Sequence, residues 1–402
     1  MKDILIIAEF CGDFSETDNI RFLYLANMFS KQHRVEIVTS RFWHITKKER
    51  GKIIKKWPFK ITLIDEPGYP RNICLRRFYS HIKWGNNVLE YLKRRKRPDI
   101  IYCAVPSLTA ARNAAFFCKK NKIRFVIDIQ DLWPEAFKMV FRIPLISDIL
   151  FLPFTIVADS IYRRADDICA VSRTYAARAM RVNKKCHNPT VVYLGTDLRV
   201  FDQYSKGNRM LSLPTKKKGI WIGYCGSLGN SYDIDTVIDA LCIIKKKYDK
   251  HPTLIVMGDG SEKKRLKTKA EKSEVDALFL GRLPYNEMCE VLSMCDMVVN
   301  PIKKKSAASI INKHGDYAAA GIPVLNLQES NEYMDLVNSY KMGVNCRNGD
   351  SRDLANRIEL LANNENLRKQ MGRNARRCAE EYFDRSNTYR KIVRLVFSSE
   401  GN

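Results

Sequence analysis

The chain has 402 residues and a formal net charge of +25 at pH 7, because its 69 lysines and arginines outnumber its 44 aspartates and glutamates. An apolar fraction of 45% excludes a disordered chain, and the length indicates two domains. The charge does not determine the fold, but it indicates an anionic partner: a lipid surface, a nucleic acid or a phosphorylated substrate.

Twelve cysteines are scattered along the chain without a CxxC pair, mostly in apolar runs such as "IYCAV". This pattern is typical of reduced, buried thiols in a cytoplasmic protein. No His/Cys/Asp cluster has metal-ligand spacing, so we expect no metal. The N-terminal "MKDILIIAEF" predicts a strand and not a signal peptide. Because no run of about 18 apolar residues occurs, we expect no membrane-spanning helix.

The first half alternates apolar β-rich runs with helical patterns. In chain order these are "DILIIAEF", "RFLYLANMFSKQ", "RVEIVTS", "KITLIDE", "FYSHIKWGNNVLEYLKRRK", "DIIYCAV", "LTAARNAAFFCKKNK", "RFVIDIQD", a long apolar helical segment, "DDICAVS", "RTYAARAMRVN" and "TVVYLG". Near-continuous Val/Ile runs separated by amphipathic helices predict parallel strands that are covered on both faces.

Residues 202–218, "DQYSKGNRMLSLPTKKK", are polar and lack an apolar period, so we interpret them as the interdomain linker. The same alternation then resumes and continues to the end. We therefore predict an α/β protein of two Rossmann-like, parallel-sheet domains that face each other across a cleft. Their bounds are 1–200 and 201–384, with a C-terminal helix at about 385–402 that packs back on the first domain. Ligands of open α/β sheets bind outside the carboxyl ends of the strands.

Three strand-end turns in the second half carry glycine or arginine. "YCGSLGNSYDIDTVIDAL" places Gly226 and Ser227 between a strand and a helix, where backbone N–H groups and the helix N-terminus favour a phosphate. "TLIVMGDGSEKKRL" places Gly258 and Gly260 in a similar turn, and "LFLGRLPYNEM" places Arg282 after a strand, where it can hold a diphosphate. The alternatives are ordinary tight turns and a solvated arginine.

The stretch "INKHGDYAAAGIPVLN" predicts a helix over roughly 309–320 that Gly321 ends before a buried strand. Lys313 and Asp316 are three residues apart and share a face of this helix. Its small alanines let it pack closely against a neighbouring strand. Lys313 can neutralise a phosphate, and Asp316 can accept hydrogen bonds from a ribose. A surface ion pair between the two is the alternative.

Taken in order, these motifs resemble the donor-binding half of family-4 glycosyltransferases, which have the two-Rossmann GT-B fold. In the first half, "VIDIQDLWPEAF", "DDICAVS" and "VVYLGTDLRVF" are similar to landmarks of that family. The resemblance covers essentially the whole chain. It is closest to the branch that builds bacterial capsular and exopolysaccharide repeat units.

The resemblance implies a hexosyltransferase that uses a nucleotide-sugar, with UDP favoured, as a substrate and needs no cofactor. It assigns Lys313, Arg282, Gly226 and Ser227 to the donor diphosphate and Asp316 to its ribose. The remaining assignments are Gln130 and Asp131 at the reacting centre, Gly258 and Gly260 in a donor-side turn, and Asn19 and Arg21 in an acceptor-side loop. For "QDLWPE", the alternative is that Trp133 and Pro134 only shape a loop.

The sequence departs from the family at several positions. The first of two family glutamates is replaced by Ala308, and the usual basic residues of the first turn of the C-terminal domain are replaced by about Ser227 and Tyr232. The N-terminal Gly-Gly loop is replaced by "SETDNIRFLYLA", and Gln130 stands where a histidine is common. The resemblance nevertheless implies retention of configuration without a metal.

The acceptor implied by this branch is a lipid-diphosphate-linked saccharide at the inner face of the plasma membrane. Residues 47–97 hold sixteen lysines and arginines against four acids, a net +12 of the total +25. With the aromatic residues interleaved there, this predicts contact with an anionic membrane through residues 41–97. The apolar segment 141–158 either lies in the interface or is an ordinary buried helix.

Two other functions fit the composition. The charge suits a polyanion-binding or nucleic-acid-binding protein, but no groove-reading helix, aromatic RNP-like strand or Cys/His finger is present, so we expect no nucleic-acid partner. The second is a GT-B-shaped binding protein without catalytic activity, which the replaced glutamate allows.

Overall fold

The computed structural model describes residues 1–12, 14, 20–53, 55–72, 74–140, 146–206, 219–247, 252–304 and 309–397. It divides into two units, Met1–Val192 with Tyr389–Asn402, and Tyr193–Thr388. The predicted boundaries lie at residues 200 and 384, several residues from these two positions.

The first unit contains a seven-stranded sheet in which every strand pair is parallel. Its strands are β1 (Asp3–Ile7), β2 (Arg34–Ser40), β5 (Lys60–Ile64), β6 (Ile100–Val105), β7 (Arg124–Ile129), β8 (Asp167–Ala170) and β9 (Thr190–Val191), and β3 (Phe42–Trp43) and β4 (Lys48–Glu49) form a separate antiparallel pair. The order across the sheet is β5-β2-β1-β6-β7-β8-β9. Every residue of β6 is buried, as expected of a strand covered on both faces.

The described part of the first unit, up to Val192, contains the helices α1 (Arg21–Ser30), α2 (Leu75–Arg94), α3 (Leu108–Asn121), α4 (Glu135–Val140), α5 (Ile146–Tyr162) and α6 (Arg173–Met180), and the last helix of the chain is added below. No helix in the described ranges is long and apolar enough to cross a membrane.

The second unit has a six-stranded parallel sheet in the order β12-β11-β10-β13-β14-β15. Its strands are β10 (Trp221–Cys225), β11 (Thr253–Met257), β12 (Ala277–Gly281), β13 (Met297–Asn300), β14 (Val324–Asn326) and β15 (Gly343–Asn345). Its helices are α7 (Leu198–Ser205), α8 (Ile234–Lys245), α9 (Lys263–Lys272), α10 (Tyr285–Met294), α11 (Asn312–Ala319), α12 (Asn331–Tyr340), α13 (Ser351–Ala362), α14 (Glu365–Cys378) and α15 (Arg385–Thr388), with a π-helical turn at Ala379–Phe383. The predicted α/β class with two parallel sheets is confirmed.

The last helix, α16 (Arg390–Phe397), belongs to the first unit. Ile392 and Val396 are fully buried in the core formed by β1, α1 and β6. The Phe397 ring packs edge-on against Phe29 of α1 at 5.5 Å. The α16 helix therefore completes the hydrophobic core of the first unit.

The predicted linker is wrong in its first residues, because Asp202–Ser205 are the end of α7 and not a connection. Asp197 caps this helix through its carboxylate, and Phe201 is buried. Asp202 pairs with both terminal nitrogens of Arg376 on α14 at 2.6 Å. The chain changes unit earlier, between Val192 and Tyr193. Residues 207–218 lie outside the described residues.

Candidate functional site

Two glycine turns lie side by side at the carboxyl ends of β10 and β11. The Gly226 N–H donates to the Met257 carbonyl at 2.9 Å, and the Leu228 N–H donates to the Asp259 carbonyl at 2.8 Å. A Cβ atom on Gly258 would lie 1.7 Å from the Gly226 oxygen. Gly258 is thus required by the contact between the turns, which is a structural reason independent of any ligand.

We predict that Gly258→Ala costs about 2–3 kcal/mol of unfolding free energy, because the new methyl group must displace backbone and not a flexible side chain. Gly229 provides the matched control, since a Cβ there meets nothing within 4 Å. Chemical denaturation of both variants checks this. Equal stability of the two variants would contradict the packing account.

Lys313 lies against the first of these turns. Its side chain is only 8% exposed, and its Nζ has no hydrogen-bond partner among the described residues. Nζ sits 3.9 Å from the ring centre of Tyr232 and 4.4 Å from that of Tyr224. A Cβ on Gly226 would lie 2.6 Å from this nitrogen. The structure therefore brings Lys313 and Gly226 together, and their assignment to the donor diphosphate remains a prediction.

The surroundings of Lys313 favour an anion. Burial lowers its pKa from 10.5 to about 8. It is also the second residue of α11, where the positive end of the helix dipole disfavours a cation. The two tyrosine rings offset part of this cost through cation–π attraction. A phosphate beside Nζ would supply the missing countercharge.

Asp316 faces different partners from Lys313. The Tyr285 hydroxyl donates to its Oδ1 at 2.9 Å, and the Thr196 hydroxyl lies 2.6 Å from that of Tyr285. Burial raises the Asp316 pKa to about 6. The alternative of a surface Lys313–Asp316 ion pair is wrong, because Lys313 is buried and turns towards Tyr232. The ribose role assigned to Asp316 remains a prediction.

The helix that carries both residues is confirmed, with bounds Asn312–Ala319. Gly321 follows it with φ +66°, as the helix-ending role requires. The expected close packing of its alanines against a strand is not among its main contacts. The α11 helix instead packs mainly against α14, the π-helical turn and α7.

His314 anchors the start of α11, and the sequence analysis gave it no role. Its ring stacks on Tyr333 at 3.5 Å, its Nδ1 accepts from the Ile311 N–H, and Asn300 lies 3.1 Å from its Nε2. Burial lowers its pKa well below the ordinary value, so the ring is neutral. Asn300 donates to Asn326, its register partner on β14. This buried amide network holds the helix turn from which Lys313 projects.

Arg282 is not part of this cluster. It is exposed and follows the edge strand β12, two strands away from β10. Strands are about 4.8 Å apart, so these strand ends are separated by roughly 10 Å. Ser227 is exposed in the first turn, and its carbonyl accepts from the Tyr224 hydroxyl at 2.7 Å.

In the first unit, Gln130 and Asp131 follow the carboxyl end of β7. Gln130 Nε2 lies 3.4 Å from Asp128. Asp131 accepts from the Leu132 N–H at 2.9 Å and from the Trp133 indole at 3.2 Å. Burial raises the Asp131 pKa. Both carboxylate oxygens therefore shape the loop, which supports the alternative interpretation of this motif.

The acceptor-loop assignment of Arg21 is corrected by its partners. Arg21 is 4% exposed and donates through Nε and Nη2 to the two oxygens of Asp128, at 2.7 and 3.0 Å. Its guanidinium is a buried structural group because Asp128, inside β7, needs a countercharge. Asn19 lies outside the described residues.

A second group of buried polar residues at the carboxyl edge of the first sheet was also missed. Glu9, two residues after β1, lies with Oε1 3.0 Å from Nδ1 of His81. Ser107 donates to its other oxygen, and Trp133 packs 5.4 Å from the His81 ring. The signal in the sequence was the single acid that directly follows the run "ILIIA".

Both halves of the chain match family models. Residues 19–200 match Glycosyltransferase Family 4, and residues 208–378 match Glycosyl transferases group 1. The chain is a GT-B glycosyltransferase.

Solved structures similar to this glycosyltransferase share its fold along the whole chain. HepE from Anabaena, in complex with UDP, is 17% identical and has a TM-score of 0.70 over 99% of this chain and 100% of that chain. Sucrose-phosphate synthase from Thermosynechococcus elongatus is 15% identical, with a TM-score of 0.74 over 100% of both chains. WaaG, a glycosyltransferase involved in lipopolysaccharide biosynthesis, is 16% identical, with a TM-score of 0.65 over 98% and 100%. No curated protein sequence matches the glycosyltransferase.

Proposed function

We propose that this glycosyltransferase moves a sugar from a UDP-sugar to a lipid-linked saccharide acceptor during surface-polysaccharide synthesis. The observation that carries the donor half is the buried Lys313 ammonium, which has no hydrogen-bond partner among the described residues and lies against Gly226. The structures of HepE with UDP and with UDP-glucose support UDP as the nucleotide.

In the proposed reaction, the bond between the anomeric carbon and the diphosphate oxygen breaks, and the acceptor oxygen bonds to that carbon on the same face. The acceptor proton passes to the departing phosphate oxygen. Lys313, which lies against the Gly226–Ser227 turn, stabilises the charge that develops on the diphosphate, and the Ser227 N–H is the backbone donor that the turn adds. The mechanism is proposed to retain configuration and to need neither a metal nor a cofactor.

Calorimetric titration with UDP, GDP and dTDP tests the donor site. We expect UDP to bind most tightly, with Lys313→Ala lowering its affinity by about 10- to 100-fold through loss of a charge-assisted contact. Asp316→Ala should weaken UDP but not inorganic pyrophosphate if it contacts the ribose. Lys264→Ala, on the exposed face of α9, is the matched control. Equal binding of UDP by the Lys313→Ala variant and the wild type would refute the assignment.

The proposed acceptor is lipid-linked because two adjacent helices of the first unit expose apolar side chains. Leu75 and Tyr79 on α2 are 86% and 52% exposed, and Ile149 and Ile156 on α5 are 73% and 56% exposed. The two helices meet where Phe78 packs 5.5 Å from Phe154. With the basic window 41–97 nearby in sequence, this surface suits peripheral binding to the anionic inner face of the plasma membrane from the cytoplasm. Residues 141–145 of the apolar segment lie outside the described residues.

Co-sedimentation with phosphatidylglycerol vesicles tests the membrane surface. Leu75→Ser with Ile149→Ser should reduce vesicle binding by about tenfold or more, since burying the apolar surface of each of these side chains in lipid contributes about 1 kcal/mol or more to the binding free energy. Leu360→Ser, which alters an exposed leucine of the second unit, is the control. Unchanged binding by the double variant would exclude these helices as the contact.

A further inference from the structure

A basic groove lies at the amino ends of β7 and β8, the sheet edge opposite to Gln130 and Asp131. It has a volume of about 680 Å³ and lies between the C-terminal ends of α3 and α5. A volume of this size is within the range of small-molecule sites. The one acid in the lining of the groove is Asp166. The lining also contains six cationic residues: Lys119, Lys122, Arg124, Arg163, Arg164 and Lys185.

Two of the six cations already have carboxylate partners. Arg124 pairs with Asp167 at 2.6 Å, and Lys185 pairs with Asp166 at 2.7 Å. For the other four, no described residue provides a carboxylate within ion-pair distance. One of them, Arg164, has a buried Nε with no hydrogen-bond partner in the described part of the chain. With Asp166 and the adjacent Asp167 both counted against the six cations, the groove has an excess of four positive charges.

Helix ends explain the position of these cations but not their number. A basic side chain in the last turn of a helix is stabilised by the helix dipole, and α3 ends with Lys119 and Lys120. One basic residue per helix would be sufficient for this interaction with the helix dipole. Cations gathered in a concave site repel one another, so their accumulation calls for an anion that bridges them.

We propose that this groove binds a phosphate group, either a diphosphate or a phosphate ester. Arginine forms paired hydrogen bonds with phosphate oxygens, and lysine adds charge without a fixed direction, so Arg163 and Arg164 with Lys119 and Lys122 suit this chemistry. The site is in the first unit and is separate from Lys313. It does not depend on the proposed nucleotide site.

Hydrogen–deuterium exchange with inorganic pyrophosphate tests the proposal, because peptides within residues 160–167 contain three residues of this groove and none of the site around Lys313. Pyrophosphate should slow their exchange in the wild type. In K119Q/K122Q/R163Q the apparent affinity should fall by roughly tenfold or more, since each exposed charge contact is worth about a factor of two to five. All three substituted residues are exposed, so the fold should survive. K264Q/K267Q/K272Q, which removes the same charge from α9, should behave as the wild type.

Absence of slowing in the wild type, or equal slowing in both triple variants, would overturn the proposal. Exchange measured with phosphatidylglycerol vesicles distinguishes a soluble phosphate ligand from a lipid headgroup. Slowing by pyrophosphate but not by phosphatidylglycerol vesicles indicates a soluble ligand, whereas slowing by vesicles that pyrophosphate reverses indicates a lipid headgroup. Both outcomes support the site. Slowing by a DNA oligonucleotide, with no response to pyrophosphate or vesicles, would reject it in favour of nucleic acid.

Discussion

The Lys313→Met variant is expected to be more stable than the wild type at pH 7 and to lose nucleotide binding. Burial lowers the Lys313 pKa from 10.5 to about 8, so below pH 8 the folded protein carries a charge that the unfolded chain solvates better. Removing that charge should add about 1–2 kcal/mol to the unfolding free energy. The gain is no larger because the variant also loses the cation–π attraction of Tyr224 and Tyr232. UDP affinity should fall by about 100-fold.

The lowered pKa of Lys313 also determines how stability and UDP affinity change with pH. Between pH 8 and 10.5 the unfolded chain holds a proton on Lys313 that the folded protein has released, so wild-type stability should rise over this range. The affinity for the nucleotide should instead fall over this pH range. Above pH 8 the free lysine is neutral, and a bound diphosphate requires its protonation, so UDP affinity should fall by up to about tenfold per pH unit.

Calorimetry at about pH 8.5 in buffers of different ionisation enthalpy measures that proton directly. The wild type should take up a fraction of a proton on binding UDP, and Lys313→Met should take up less. Thermal unfolding of both proteins from about pH 7 to 10 provides the stability comparison. A variant less stable than the wild type at pH 7 would show that Lys313 is a structural residue and not a ligand group.

The fold could be predicted from local patterns, because strands that are buried on both faces of a parallel sheet appear in the sequence as continuous apolar runs. Runs such as "IIYCAV" and "DICA" became β6 and β8. Part of the candidate site followed for a related reason. Gly226 and the stretch that carries Lys313 come after two strands, β10 and β13, that pair with each other. Residues at the carboxyl ends of paired parallel strands are neighbours.

The remaining features depend on pairings that a single sequence does not reveal. Arg282 follows a strand with the same pattern as β10, but β12 is the sheet edge, and strand order is not encoded in local periodicity. Asp316 meets Tyr285, 31 residues away in the chain. The last four residues of α7 were interpreted as linker because "DQYS" is polar, although Asp202 has a partner on α14, 174 residues later.

Arg21→Met and Asp128→Leu are each expected to destabilise the first unit by about 3–5 kcal/mol, because either change leaves its partner charged and buried. The exposed fractions of the two side chains are 3% and 0%. The Tyr102 hydroxyl also donates to Asp128 at 2.8 Å, so the pair joins α1 to β6 and β7. The double variant should recover most of the loss, since it removes both charges together.

Urea unfolding followed by tryptophan fluorescence reports this unit, because four of the five tryptophans lie in it: Trp43, Trp57, Trp84 and Trp133. Arg41→Met is the matched control in the same unit, since its ion pair with Asp65 has exposed fractions of 41% and 74% and should contribute less than about 1 kcal/mol. Additive losses in the double variant would show that the two residues act separately. The UDP binding proposed for the second unit should persist in the single variants, and its loss would contradict a purely structural role for Arg21.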